Sequence, residues 1–210
     1  MIAYVGQTRS RDLIAQLAEH GIGECTVRGE LPPRRRPWFF DNGAFRDFTA
    51  GRAFDREAFE RDVARIREEL LAPDFLVLPD VVAGGRASLD ESLAWAPRLE
   101  GVGPLYLAVQ DGMSEDDVRP VLGNVAGVFV GGSTEWKLAT AAAWRALAHA
   151  HGRRLHVGRV GSMRRVAWAR LEVRADSIDS CLPLWSAQKL DRFVRALVPC
   201  GQGLLFGGSP

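Results

Sequence analysis

Lysine is almost missing from this sequence. Only Lys137 and Lys189 occur, so nearly all of the positive charge is arginine. That bias fits a GC-rich coding sequence, and it equally fits a choice of the planar guanidinium fork, which grips phosphate at two points. The formal net charge is only +1. This argues against a chain coated in nucleic acid and leaves room for one basic strip beside a site. Cysteine is scarce too. Cys25, Cys181 and Cys200 are odd in number, far apart and without a CxxC pair, which argues against a disulfide framework and a cysteine-rich zinc site. No cofactor and no metal is expected. No apolar run approaches the roughly 18 residues of a membrane span. The opening MIAYVGQTRSRD lacks the basic and then apolar pattern of a signal peptide. A cytoplasmic protein with no membrane partner is the expectation. Internal repeats and low-complexity tracts are also absent.

What is present is ordinary for a globular protein: 210 residues, 47% apolar and 25% charged. That length predicts one domain over 1–210 with a sizeable core. Short apolar runs rich in Val, Leu and Phe stand at Ile2–Val5, Trp38–Phe40, Phe75–Leu78, Leu105–Val109, Val128–Val130 and Leu155–Val157, with a weaker one at Ala175–Ile178. Gly, Pro or Asp bounds them, as expected for buried strands. Between them lie helical patterns: 11–20, 56–71, 88–99, 115–122, 136–149, 163–171 and 187–197. Ser114 with Asp117 reads as a capping box and Gly152 as a helix stop. Gly21–Pro37, with Arg34, Arg35 and Arg36, reads as one long irregular stretch. Strand and helix in alternation predict an α/β fold with parallel strands. An open sheet needs a glycine-rich loop after its first strand, and Gly6-Gln7-Thr8-Arg9 is not one. The fold class expected is therefore a compact, TIM-like (β/α) barrel, close to the lower size limit for one.

The residues that end each run carry the functional signal. Phe40 runs into Asp41, Leu78 into Pro79-Asp80, Val109 into Gln110-Asp111-Gly112, Val130 into Gly131-Gly132-Ser133, and Val157 into Gly158-Arg159. The weak last run holds Asp176 and Asp179. In a parallel barrel all strand C-termini open on one face, where active sites sit. These groups are therefore expected to converge. Paired carboxylates suit glycosidic chemistry, one attacking and the other moving protons. Asp176 and Asp179 are three apart, so on a strand only one of them points into a barrel. Glycine at 43, 131 and 132 lets a flat ligand approach the backbone, and Phe45 offers a stacking face.

The ordered series of motifs resembles a known family. DNGAF (41–45) resembles the DSGGF motif of the tRNA-guanine transglycosylase superfamily. LPD (78–80), VQDG (109–112), VGGS (130–133), HVGRVGS (156–162) and ADSIDS (175–180) resemble its later motifs in the same order. The resemblance implies a barrel that exchanges guanine in nucleic acid for a 7-deazaguanine through a covalent glycosyl-enzyme. Carried over by position, it makes Asp176 the nucleophile and Asp41 the general acid/base. Asp80 and Gln110 would bind the base edge, Gly131 and Gly132 would offer backbone groups, and Phe45 would cover the ring. The chain departs from the tRNA enzymes in lacking their C-terminal zinc cluster. Asn42 and Ala44 also replace the motif's Ser and second Gly. The resemblance is therefore closest in character to the small DNA deazapurine transglycosylases. It implies DNA (or tRNA) and a free preQ-type 7-deazapurine as partners, with a duplex-opening helper protein and a homodimer as further expectations.

Arg159, Arg164 and Arg165 follow the sixth run and are candidates to grip the nucleic-acid backbone; Arg34–Arg36 could do the same. Lys137 is a further candidate phosphate contact. His156 and Trp136 read as packing, and Cys181 as a packed thiol. The competing functions are a tRNA base exchanger, a deazapurine nucleoside hydrolase and a non-catalytic base-binding relative.

Overall fold

A computed structural model describes residues 1–30, 33, 37–68 and 72–197. Arg34–Arg36, Cys200 and the end of the helix expected to reach Leu71 lie outside the described residues. Eight parallel strands close a barrel in sequence order: β1 (Ile2–Val5), β2 (Gly23–Val27), β3 (Trp38–Asp41), β4 (Leu76–Val77), β5 (Leu105–Val109), β6 (Gly127–Val130), β7 (Arg154–Val157) and β8 (Ser177–Asp179). β8 returns to β1, pairing Ile2 with Ser177 and Tyr4 with Asp179. The expected barrel is the fold.

The helices are α1 (Arg11–Glu19), α2 (Ala44–Thr49), α3 (Arg56–Glu68), α4 (Arg86–Trp95), α5 (Glu115–Val118), α6 (Thr134–Ala150), α7 (Met163–Trp168) and α8 (Ala187–Leu197). The Ser114–Asp117 capping box starts α5 as the sequence predicts. Two elements were hidden in the sequence. β2 fell inside the stretch read as irregular, because Glu24 and Thr26 break its apolar run. Both are nonetheless buried, and the Glu24 carboxylate accepts from Gln7 at 2.8 Å. α2 is a six-residue helix that follows Asp41 at once, too short for a periodic signal.

The pleat sorts side chains into two cores. Tyr4, Cys25, Phe39, Phe75, Val77, Tyr106, Ala108 and Phe129 fill the barrel interior. The alternate residues, such as Phe40, Leu76, Leu107 and Val128, face the helices. The interior is filled by rings: Phe39 and Phe75 stack at 4.5 Å, Phe75 and Tyr106 at 4.0 Å, and Phe129 and His156 at 4.8 Å between centroids. Gly158 is glycine for this reason, since a Cβ there would lie 2.6 Å from the Phe129 ring. The packed rings plug the barrel, so a ligand can be received only at its ends.

Candidate active site at the C-terminal mouth

Asp41 is the last residue of β3 and shares the inward pleat of Phe39. An Oδ1 bond from the Gly43 N–H, 2.7 Å long, fixes its carboxylate. Burial raises its pKa first, and the charge of Asp179 pushes the same way. Gly43, Arg159 and His156 oppose them, and the net shift is upward. Asp41 is thus biased toward holding a proton, as a general acid must.

Asp179 ends β8 on the inward pleat, and its side chain is 15% exposed. His156 lies beneath it, fully buried. Its Nε2 is 2.9 Å from Asp179 Oδ1, and its Nδ1 is 2.9 Å from Ser177 Oγ. The tautomer that satisfies both contacts carries its proton on Nε2, with the serine hydroxyl donating to Nδ1. The Arg159 backbone N–H donates to both carboxylate oxygens at 3.1 Å. Asp179 is therefore a held carboxylate that faces the mouth.

Asp176 is not at the mouth. Its backbone carbonyl accepts from Ile2 at the start of β1, and its Oδ2 accepts from the Leu155 N–H at the start of β7, 2.7 Å away. His149, in the last turn of α6, holds the same oxygen at 2.8 Å. These contacts place Asp176 at the N-terminal end of the barrel, on the outward pleat. The expectation that Asp176 pairs with Asp41 is thus corrected. The pleat sends the first aspartate of ADSIDS out and the second in, so Asp179 is the carboxylate that shares the mouth with Asp41.

Asp80 follows β4. Asn42 Nδ2 donates to its Oδ1 at 2.8 Å and to the Leu78 carbonyl at 2.7 Å. Burial, with the charge of Asp41 adding to it, pushes the Asp80 pKa up to about 6 despite the Asn42 bond and Arg159. Asn42, read in the sequence only as a change from Ser, therefore orients Asp80, and Gln110 Nε2 donates to its other oxygen at 3.4 Å. Gln110 is 3% exposed and fully engaged. Its Nε2 donates to Ser88 Oγ at 2.6 Å and to the Val81 carbonyl at 2.9 Å, and its Oε1 accepts from the Ala83 N–H at 2.6 Å. The expected base contact is here a strut that shapes the loop after Asp80. Ala83 in that loop has a φ of 57°, a left-handed strain that clusters at functional sites.

The Gly131 N–H continues the ladder to the Val109 carbonyl. Gly132 has a φ of 71°, and a Cβ there would lie 2.5 Å from Asp111 Oδ2. Asp111 ties the turn by accepting from the Ser133 N–H at 2.6 Å and its hydroxyl at 2.7 Å. Burial raises the Asp111 pKa, but these bonds outweigh it and leave the carboxyl below its usual value.

Arg159 crosses the mouth. With a φ of 55° it is the second strained residue of this face. Its guanidinium lies 3.7 Å over the exposed Phe45 ring and donates to the Gly132 carbonyl at 2.8 Å. Arg165 is half-buried on α7, and Arg164 is exposed beside it. The structure thus brings Asp41, Phe45, Asp80, Gln110, Gly131, Gly132 and Arg159 to one face and leaves Asp176 on the other. Sequence reasoning missed the roles of His156, Asn42 and Asp111. The signal for His156 was its place on the inward pleat, two residues before Gly158. Among the described residues no cluster of metal-ligating side chains occurs, and no helix is long and apolar enough to cross a membrane.

No family model matches the chain, and no curated protein matches it. Solved structures do. The chain is similar to RipC from Yersinia pestis, with a TM-score of 0.56, 12% identity and 96% of each chain covered. It is similar to pyruvate kinase from Pyrobaculum aerophilum, with a TM-score of 0.60, 10% identity, and 94% of this chain and 71% of that one covered. N-(5'-phosphoribosyl)anthranilate isomerase from Pyrococcus furiosus gives a TM-score of 0.51 and 14% identity over 94% of this chain and 98% of that one. At these identities the likeness shows the fold alone. The chain is a TIM-like barrel of eight parallel strands.

Proposed function

We propose that this protein is a base-exchanging transglycosylase that replaces guanine in DNA with a 7-deazaguanine. The observation that carries the reading is the pairing of Asp41 and Asp179 at one mouth. Asp41 is biased toward its protonated form, and Asp179 is fixed in place by the Arg159 N–H and by His156 beneath it. A proton shuttle and a positioned nucleophile are what glycosidic exchange needs.

In the first step an Asp179 oxygen attacks C1′ of the target deoxyribose. The C1′–N9 bond breaks, and its electron pair leaves with guanine as Asp41 supplies the proton. The product is a glycosyl ester on Asp179. In the second step the incoming base gives its N9 proton to Asp41, and N9 attacks C1′. The ester bond then breaks and Asp179 is regenerated. Two displacements retain configuration. His156 and the Arg159 N–H favour the second displacement by stabilising the departing carboxylate. Ionised Asp80 accepts from the N–H groups of a guanine-type edge, which an adenine cannot satisfy. Phe45 covers the base, and Arg159 must withdraw from the Phe45 face to admit it. A base inside a duplex cannot reach this mouth, so the strand is single or the nucleotide is flipped out.

The test is incubation with labelled guanine or 7-deazaguanine and either DNA or tRNA, followed by denaturing electrophoresis. The wild type is expected to form a denaturation-resistant adduct with DNA. Asp179→Asn abolishes that adduct, while Asp176→Asn retains it. An adduct surviving in Asp179→Asn overturns the assignment. Incorporation into tRNA alone, or release of free base from nucleosides without exchange, replaces the substrate proposed here.

A further inference from the structure

Between the N-terminal ends of α6 and α7 lies a small open cleft whose enclosed space is about 10 Å³. Lys137, Arg159 and Arg165 line it beside the apolar Leu138, Val157 and Val160. Lys137 is one of only two lysines in the chain and is 6% exposed. Its ammonium carries three donors, and among the described residues it donates only to the Gly158 carbonyl, at 2.7 Å. Among the described residues neither Lys137, Arg159 nor Arg165 forms an ion pair.

A buried ammonium is normally matched by an anion. Here two arginines add to its charge. The carboxylates that act on it, Asp179 and Asp111, do so from beyond ion-pair distance. Burial, then Arg159 and then Arg165 depress the Lys137 pKa to about 8, against the pull of Asp179 and Asp111. The cleft thus holds three cationic side chains, and among the described residues none of them has a carboxylate within ion-pair distance.

We propose that this cleft is a phosphate-ester subsite, with Lys137 at its floor, Arg165 on its wall and Arg159 at its rim. One backbone step separates it from the reactive carboxylate. The Gly158 carbonyl takes Lys137, and the next N–H, that of Arg159, holds Asp179. The cleft and the reactive carboxylate therefore flank the same peptide group. Assigning the bound phosphate to a strand rests on the proposed function; the anion site itself does not.

Sulfate is the probe, because its charge is constant from pH 6 to 10. Calorimetric titration of the full chain at low salt is expected to give saturable binding. That affinity is lost as the pH rises through about 8, where Lys137 gives up its proton. Lys137→Met and Arg165→Gln are each expected to weaken sulfate about tenfold or more. Arg165→Gln guards against a Lys137 variant that fails to fold. Competition then identifies the source. Displacement of sulfate by a single-stranded oligonucleotide assigns the phosphate to a polymer, and displacement only by a nucleoside 5′-monophosphate assigns it to a free nucleotide. Absence of saturable binding, affinity unchanged in both variants, or sulfate displaced by neither ligand (an adventitious ion only) overturns the subsite. Because the readout is binding, sulfate affinity surviving in a protein without exchange activity overturns the proposed function and leaves the subsite standing.

Discussion

Asp80 shows what the proposed recognition role costs in stability. Its pKa is raised from 3.8 to about 6 by burial and by Asp41. A raised carboxylate contributes stability below its unfolded pKa and loses it as pH rises through the folded value. Between about pH 4 and 6 the fold therefore becomes less stable as Asp80 ionises, while the acceptor that the proposed guanine contact requires comes into being. Asp80→Asn is expected to match or exceed the wild type in chemical-denaturation stability above pH 6, by at most roughly 3 kcal/mol. The same variant should bind guanine-type bases selectively worse, and wild-type base affinity should rise with pH through about 6. An equal loss for all bases would remove its reading role.

In the proposed reaction His156 acts through Asp179. It is fully buried between Phe129, Ser177 and Asp179. His156→Phe keeps the ring and loses both hydrogen bonds. Removal of one such donor costs on the order of 10² in kcat. A fall of that size with KM nearly unchanged is expected from steady-state kinetics. A purely structural role would instead lower the melting temperature and leave kcat per folded molecule intact.

At the scale of elements, the loop after β2 and helix α2 together position Asp41. Arg28, 2% exposed, bonds Asp47 of α2 at 2.5 Å, and its guanidinium lies 5.0 Å from the Phe54 ring. The ion pair, the Asp55 N–H and Arg52 outweigh the burial of Asp47 and hold its carboxyl below its usual value. Breaking a buried pair leaves an uncompensated charge and costs about 3–5 kcal/mol. Arg28→Met is expected to lose that much in urea unfolding. Asp47→Leu added to Arg28→Met should recover most of it. β2, α2 and this ion pair were all invisible in the sequence. Arg28 and Asp47 lie 19 positions apart and read separately as ordinary charged residues. The Ser114–Asp117 capping box and the short apolar runs were legible because their physics is local.

For the whole molecule, the arginine bias becomes a matter of placement. Arg159, Arg164 and Arg165 all follow β7 on the mouth face, although the net charge is only +1. Phosphate contacts release counterions, so each one lost lowers the slope of log affinity against log salt by about 0.7 for single strands. Arg164→Gln with Arg165→Gln is expected to flatten that slope by one to two such steps in fluorescence-anisotropy titrations. An unchanged slope would put the strand elsewhere.

The alternation of short buried runs with amphipathic stretches determined the parallel barrel from sequence alone, because periodicity and chain length leave few other ways to bury those faces. The motifs at the strand ends likewise determined that Asp41, Asp80 and the glycine turn share one face. Sequence alone could not decide which aspartate of ADSIDS turns inward. That depends on where β8 starts its pairing with β1 and β7, and a slip of one residue reverses every side chain. Only the closed barrel set that register. It sent Asp176 to His149 at the far end and left Asp179 over His156 at the mouth.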